Sequence, residues 1–247
     1  MGSSDDQKTD KYRSYLYDEG EKNTRWRFGA APNYDAVNKL FEEGRTKIWP
    51  AGSIEEKVQN LVKTFEMELF HKTRPEDYKS LDPYKLTLSL NGRKPMSMKE
   101  VGMIGGGYNF FLQTALPEAM RGYDPASETV DTSHLAFTTT FPRGFVLEVL
   151  EVYAGPPVMV FKFRHWGHME GPFKSHAATG EMVEFFGIGV YEVDENMKIV
   201  RVEFFLDRGE LLGGLMRGSA ADSAHAPDEA AAAAAASSSC PFLRSTG

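Results

Sequence analysis

The 247-residue chain has one cysteine, no apolar run long enough for a bilayer and no surplus of basic side chains. Each shortage removes a class of protein. A lone Cys240 cannot build a disulfide framework within one chain, which sets small secreted scaffolds aside. A membrane-spanning helix needs about 20 consecutive apolar residues, and the sequence offers no such run. The opening MGSSDDQKTD is polar and acidic where a secretory signal is apolar, and Asp6 stands where a myristoylation signal has Ser or Thr. The expectation is a cytoplasmic protein with no membrane partner. A formal net charge of −7 also speaks against a nucleic-acid partner, because such binding draws on many Lys and Arg side chains to neutralise phosphates.

Several catalytic signatures are missing as well. There is no Gly-x-Ser-x-Gly element and Cys240 sits in a polar tail, so nucleophilic hydrolysis lacks its parts. Gly105, Gly106 and Gly107 are not followed by the Lys-Ser/Thr of a phosphate-binding loop and read as a turn before a helix. His165, His168 and His176, with Glu170 among them, invite a metal reading. On a strand, however, His165 and His168 point to opposite faces, and no cysteine lies nearby. Neither a metal nor another cofactor is expected.

What is present suffices for one sizeable core, with 41% hydrophobic and 12% aromatic residues. Residues 1–52 read as an arm and a first helix: charges and aromatics (Tyr12, Tyr15, Tyr17, Trp26) without a sustained period, then a short apolar period from Val37 to Phe41. The main domain spans 53–217. In it Ile54, Val58, Leu61, Val62, Phe65 and Leu69 recur at helical intervals, with Ser53 as N-cap and Glu55 and Glu56 in the first turn. Lys85 to Leu90 alternates as a strand ended by the Asn91-Gly92 turn, and Ser97 to Leu116 is helical at its ends but broken by the glycines. Between 138 and 206, FVLEVLEVYA, VMVFKFRHWGHM, MVEFFGIGVYEV and KIVRVEFFLD follow at short spacing, as in an antiparallel meander. Helices first and an antiparallel sheet afterwards make the fold class α+β. Residues 218–247 read as a flexible Ala/Ser-rich linker ending in the tail CPFLRSTG.

The order of elements carries a resemblance. Phe141-Pro142 precedes a strand, Gly155 lies in a turn, Gly167 is followed by Gly171 and Phe173, Thr179-Gly180 precedes the next strand, and Asp207 follows the last one. Over about residues 55–216 this set resembles the SnoaL-like domains of the nuclear-transport-factor-2-like superfamily. The segments EEKVQNLVKTFEMELFHK, LSLNGRKP, FTTTFPRGF, FRHWGHMEGPFK and SCPFLR are similar, more closely, to the plant pathogen-related proteins. The resemblance implies a cone-shaped, curved, mostly antiparallel sheet packed on N-terminal helices around a small-molecule pocket. It further implies an association with plant defence and a homodimer through the outer face of the sheet. In the cyclase members an Asp at the end of the last strand is the acid/base of a cofactor-free ring closure, and the matching position here is Asp207.

The residues themselves leave the assignment of Asp207 open. It shares a strand face with Arg201, Glu203 and Phe205, whereas Val200, Val202, Phe204 and Leu206 form the cleaner apolar face, so Asp207 is either a pocket carboxylate or a strand-end cap. Glu203 and Asp207 do not make a glycosidase pair, since four residues along a strand span roughly 13 Å and such pairs stand ~5–10 Å apart. His165 falls on one face with Met159, Phe161, Phe163 and Met169, which makes it a candidate polar group in an apolar pocket or a core histidine. Phe161, Phe163, Met169, Phe185 and Tyr191 are the expected ligand-contacting walls, with Glu203 as a polar contact; Trp166, Phe186 and Tyr108 add aromatic surface, with sheet packing as the alternative. The function expected is binding of a small hydrophobic or aromatic metabolite, with Asp207 as base and His165 as polarising partner if it is turned over. The alternative is a non-catalytic scaffold of the same fold.

Overall fold

The helical periods become α1 (Asp35–Gly44) and α2 (Ile54–His71) in a computed structural model that describes residues 8–219. The Ala/Ser-rich stretch from 220 on and the CPFLRSTG tail with Cys240 lie outside the described residues. Ser53 caps α2 as expected, its hydroxyl accepting from the Glu56 amide at 3.2 Å. Val58, Val62 and Phe65 are buried in the main core. Polar side chains elsewhere around α2 are not left to solvent: Gln59, Lys63, Glu68 and His71 are buried too.

Asn91 and Gly92 both adopt positive φ (50° and 71°), the geometry that a tight hairpin turn needs, and join β1 (Thr87–Leu90) to β2 (Met96–Ser97). The Asn91 side chain donates to the Leu206 carbonyl and accepts from its amide, both at 2.9 Å, which locks the turn to the far end of the sheet. Gly105, at φ 90°, separates α3 (Met98–Met103) from α4 (Gly106–Phe111), and α5 (Val130–Thr140) follows.

The four strands of the meander are β3 (Val146–Ala154), β4 (Val158–His168), β5 (Met182–Val193) and β6 (Ile199–Leu206), followed by α6 (Arg208–Leu215). The six-stranded sheet runs β2-β1-β6-β5-β4-β3, antiparallel except where β1 lies parallel to β6. The class is α+β. Two register shifts bend β3. Inward positions alternate as predicted, with Phe161 and Phe163 on β4, Phe185 and Tyr191 on β5, and Val202 and Phe204 on β6 in the core. Gly187 and Gly189 make room for the two β4 rings: a Cβ at Gly189 would stand 2.4 Å from Phe161, and one at Gly187 2.5 Å from Phe163.

The N-terminal arm holds this assembly from outside. Tyr12, Leu40 and Phe41 cover Val146 and Trp166 on the outer face of the edge pair β3–β4. The segment after α1 then grips β3: the Thr46 and Lys47 amides donate to Glu148 at 2.5 and 2.8 Å, and the Trp49 indole donates to the Val149 carbonyl at 3.0 Å. At the far end of α2, the fully buried Lys72 ammonium donates to Glu21 and Glu68 at 2.8 Å each and to the Asp77 carbonyl at 3.0 Å. Glu68 also accepts from the Lys79 amide and from both the amide and the hydroxyl of Ser80. Among the described residues, no helix is long and apolar enough to cross a membrane.

Removing one partner from a buried, saturated ion cluster leaves charge without compensation. Lys72→Met is therefore expected to cost about 3–5 kcal/mol of unfolding free energy in urea titration. Lys85→Met, which removes an exposed ammonium 3.4 Å from Asp82, is expected to cost less than about 1 kcal/mol. Equal losses would contradict the assignment of Lys72 as the clamp.

Candidate functional site

Lys63, Glu66 and Phe70 recur at three- and four-residue intervals and so share one face of α2. That face looks across at the inward side chains of β4 and β5, His165 and Phe185, and between them lies a cavity of about 160 Å³. Tyr108 of α4 and His134 and Phe137 of α5 form a second wall, and Arg13, Tyr34 and Val37 of the arm and α1 close it. Glu66 is the sole carboxylate in this lining.

The polar centre is a carboxylate–imidazole pair. His165 Nε2 stands 3.3 Å from Glu66 Oε1. The imidazole packs near-parallel against two phenylalanine rings, Phe145 at 5.1 Å and 14° and Phe185 at 5.4 Å and 16°, which themselves touch at 6.0 Å, so the three rings form one aromatic cluster that orients it. Its Nδ1 is buried and has no hydrogen-bond partner among the described residues. With Nε2–H assigned toward Glu66, Nδ1 carries the lone pair.

Around this pair the environment favours neutral groups. Burial pulls His71 down to about 3 and His134 to about 4, and His134 stacks on Phe28 at 4.6 Å. Burial also raises the Tyr34 and Tyr108 phenols well above their usual range, keeping both as hydroxyl donors. Tyr108 is held parallel to Phe137 at 4.2 Å. Arg13 lies over the Tyr34 ring at 3.6 Å and donates to Asn38 at 2.7 Å, so its charge is tied into the arm.

Of the residues nominated from sequence, His165 and Phe185 line the cavity, as does Tyr108. Asp207 does not. It is exposed at the N-cap of α6, where its carboxylate accepts from the Gly209 amide at 2.7 Å, so the strand-end cap is the reading that holds. The reason is the alternation along the second half of β6, which turns Val202, Phe204 and Leu206 inward and sends Arg201, Glu203 and Phe205 outward. Glu203 follows the same rule; it lies 3.8 Å from Arg201 on the outer face and is not a cavity contact. Phe161, Phe163, Met169 and Tyr191 are inward but sit deeper, wholly packed in the core beneath the cavity. Trp166 lies on the outer face under α1, and Phe186 is exposed there. His176 is drawn away to the Gly218 carbonyl at 3.1 Å.

Sequence reasoning missed Lys63, Glu66, His71 and His134, together with Arg13 and Tyr34 of the arm. The spacing of Lys63 and Glu66 was visible, but on an amphipathic helix it reads as the solvated face. Only the path of the arm turns it into an interior.

The two neutral histidines give a pH prediction. In the unfolded chain both titrate near 6.5, and in the folded protein they resist protonation down to about 4 and 3. The unfolded state therefore binds more protons in that interval; stability present above pH 6.5 is lost as pH falls toward 4 and then 3. Thermal unfolding should be level above pH 6.5 and fall below it, with a shallower fall in His134→Phe; an unchanged slope in that variant would refute the assignment.

No protein-family model matches the chain. Among solved structures, a protein of Jannaschia sp. CCS1 described as SnoaL-like is 13% identical, covering 75% of this chain and 92% of its own, with a TM-score of 0.35. An NTF2-like protein from Burkholderia thailandensis is 14% identical, covering 56% of this chain and 80% of its own, with a TM-score of 0.29. A pathogen-related protein of Hordeum vulgare is 53% identical over 237 residues, which is 95% of each chain. The likeness to the Hordeum protein thus runs through the arm as well as the sheet, and the chain belongs to the pathogen-related protein family.

Proposed function

We propose that this protein binds a small aromatic or hydrophobic carbonyl compound in the cavity between α2 and the inner face of β4 and β5, and that Glu66 and His165 move a proton on it. The observation that carries this reading is the Glu66–His165 pair, held at 3.3 Å with the imidazole packed on Phe145 and Phe185 in an otherwise largely apolar lining. A carboxylate beside an imidazole in such a setting is a fitting base for abstracting a proton next to a carbonyl, and Tyr34 and Tyr108 are donors suited to the oxygen. Glu66 takes the role for which Asp207 was the sequence candidate.

The cavity volume narrows the ligand. An apolar cavity of roughly 150 Å³ holds benzene, so about 160 Å³ suits one ring with a short substituent. The chemistry is then a cofactor-free isomerisation or ring closure of a small metabolite in the cytoplasm. The name of the Hordeum vulgare relative supports a setting in the response to pathogens. A second, non-catalytic reading draws on the outer face of the sheet, where Phe186 and Phe205 are 49% and 44% exposed and a second copy of the chain is the fitting partner.

Acetophenone in deuterated buffer tests the proton step. The protein is expected to broaden the ligand's proton signals and to speed loss of the methyl signal by exchange. Glu66→Gln should lower that rate about a hundredfold or more, in the range of a general base, and Asp207→Asn should leave it unchanged. Exchange no faster than in buffer would defeat the catalytic reading and leave a binding or scaffold role.

A further inference from the structure

Lys63 stands one helical turn before Glu66 and also lines the cavity. Its side chain is 2% exposed, a rare position for a lysine. The amine lies over the Phe41 ring at 3.0 Å and the Tyr12 ring at 4.5 Å, and among the described residues it has neither a carboxylate within ion-pair distance nor a hydrogen-bond acceptor. Lys72, the C-cap residue of the same helix, shows the contrast: equally buried, it is surrounded by two carboxylates and a carbonyl. Arg13, also in the cavity wall, adds a like charge that disfavours an ammonium.

We infer that Lys63 is a nucleophilic amine that captures an aldehyde or ketone in the cavity as an imine. The inference rests on the cavity being the ligand site, and it assigns the ligand a reactive carbonyl. Burial and the nearby Arg13 charge, against a smaller opposing pull from Glu66, hold the Lys63 amine well below the usual lysine range, which favours the free amine with its lone pair. The Phe41 and Tyr12 rings favour the charged form, but burial is the larger influence on this amine.

The step balances without oxidant or cofactor. The Nζ lone pair attacks the carbonyl carbon while the C=O π pair moves to oxygen, and a proton passes from nitrogen to that oxygen by way of Glu66. The resulting hydroxyl departs as water with the second amine proton, leaving a C=N bond to Lys63. Hydrolysis reverses the sequence. Once protonated on nitrogen, the imine is a stronger electron sink than the free carbonyl, and in that form it would ease the proton abstraction assigned to Glu66 and His165.

Benzaldehyde with cyanoborohydride at neutral pH is the probe, using the full-length protein, intact mass measurement and peptide mapping. The expected result is one saturable reduced adduct on Lys63, lost in Lys63→Met, whose unfolding temperature stays at or above that of the parent. Ligand-signal broadening in the absence of reductant reports binding separately. Broadening without an adduct on Lys63 would overturn the imine and leave the cavity reading intact. Adducts spread over exposed lysines, with Lys63 unmodified, would do the same. No broadening and no adduct would overturn both.

Discussion

The structure depends on covering the polar face of α2. A helix carrying Gln59, Lys63 and Glu66 on one side would ordinarily give that side to water, and here the arm lies against it, with Tyr12 over Lys63. What makes the covering tolerable is the fully saturated cluster at Lys72, where Glu21 comes from the arm, Glu68 from the helix and the Asp77 carbonyl from the chain beyond. Burying two carboxylates and an ammonium is costly unless each is fully hydrogen-bonded, and Glu68 meets that condition through Lys79 and Ser80. The same cluster fixes where the arm runs. It thereby places Arg13 and Tyr34 over the cavity.

The chemistry of the cavity follows from that enclosure. In a water-poor space, groups that can shed charge do so: His71 and His134 stay neutral, the tyrosines keep their protons and Lys63 is driven toward the free amine. Glu66 is the one carboxylate left in the lining, with His165 as its neighbour. Glu66, Lys63, Tyr34 and Tyr108 thus line one small, largely apolar volume. Had the arm taken another course, the same side chains would be an ordinary solvated helix face.

Much of the fold is legible in the sequence because it is written in periods. Ser53 as a cap, the Asn91-Gly92 turn, the glycine break at 105 and the four strands of the meander each depend on nearby residues. So does the inward face of β6, whose alternation by itself argues against Asp207 as a pocket carboxylate; the resemblance nominates that residue by position alone. The same alternation finds His165 and Phe185. It cannot say how far along the cone the cavity begins, and Phe161, Phe163 and Tyr191 therefore prove to be packing and not wall. Lys63 and Glu66 are hidden for a different reason. Their burial depends on contacts with Tyr12, Phe41 and β4, distant in sequence, and no local period records such contacts.

The most direct test of the account is to locate a ligand. A crystal of the full-length protein grown with 4-bromoacetophenone would reveal the bromine by its anomalous signal. The account predicts a single strong peak in the cavity, in contact with Phe185 and Tyr108 and with the ligand carbonyl toward Lys63 and Glu66. A peak confined to the outer face near Phe186 and Phe205, or an empty cavity at saturating ligand, would contradict it.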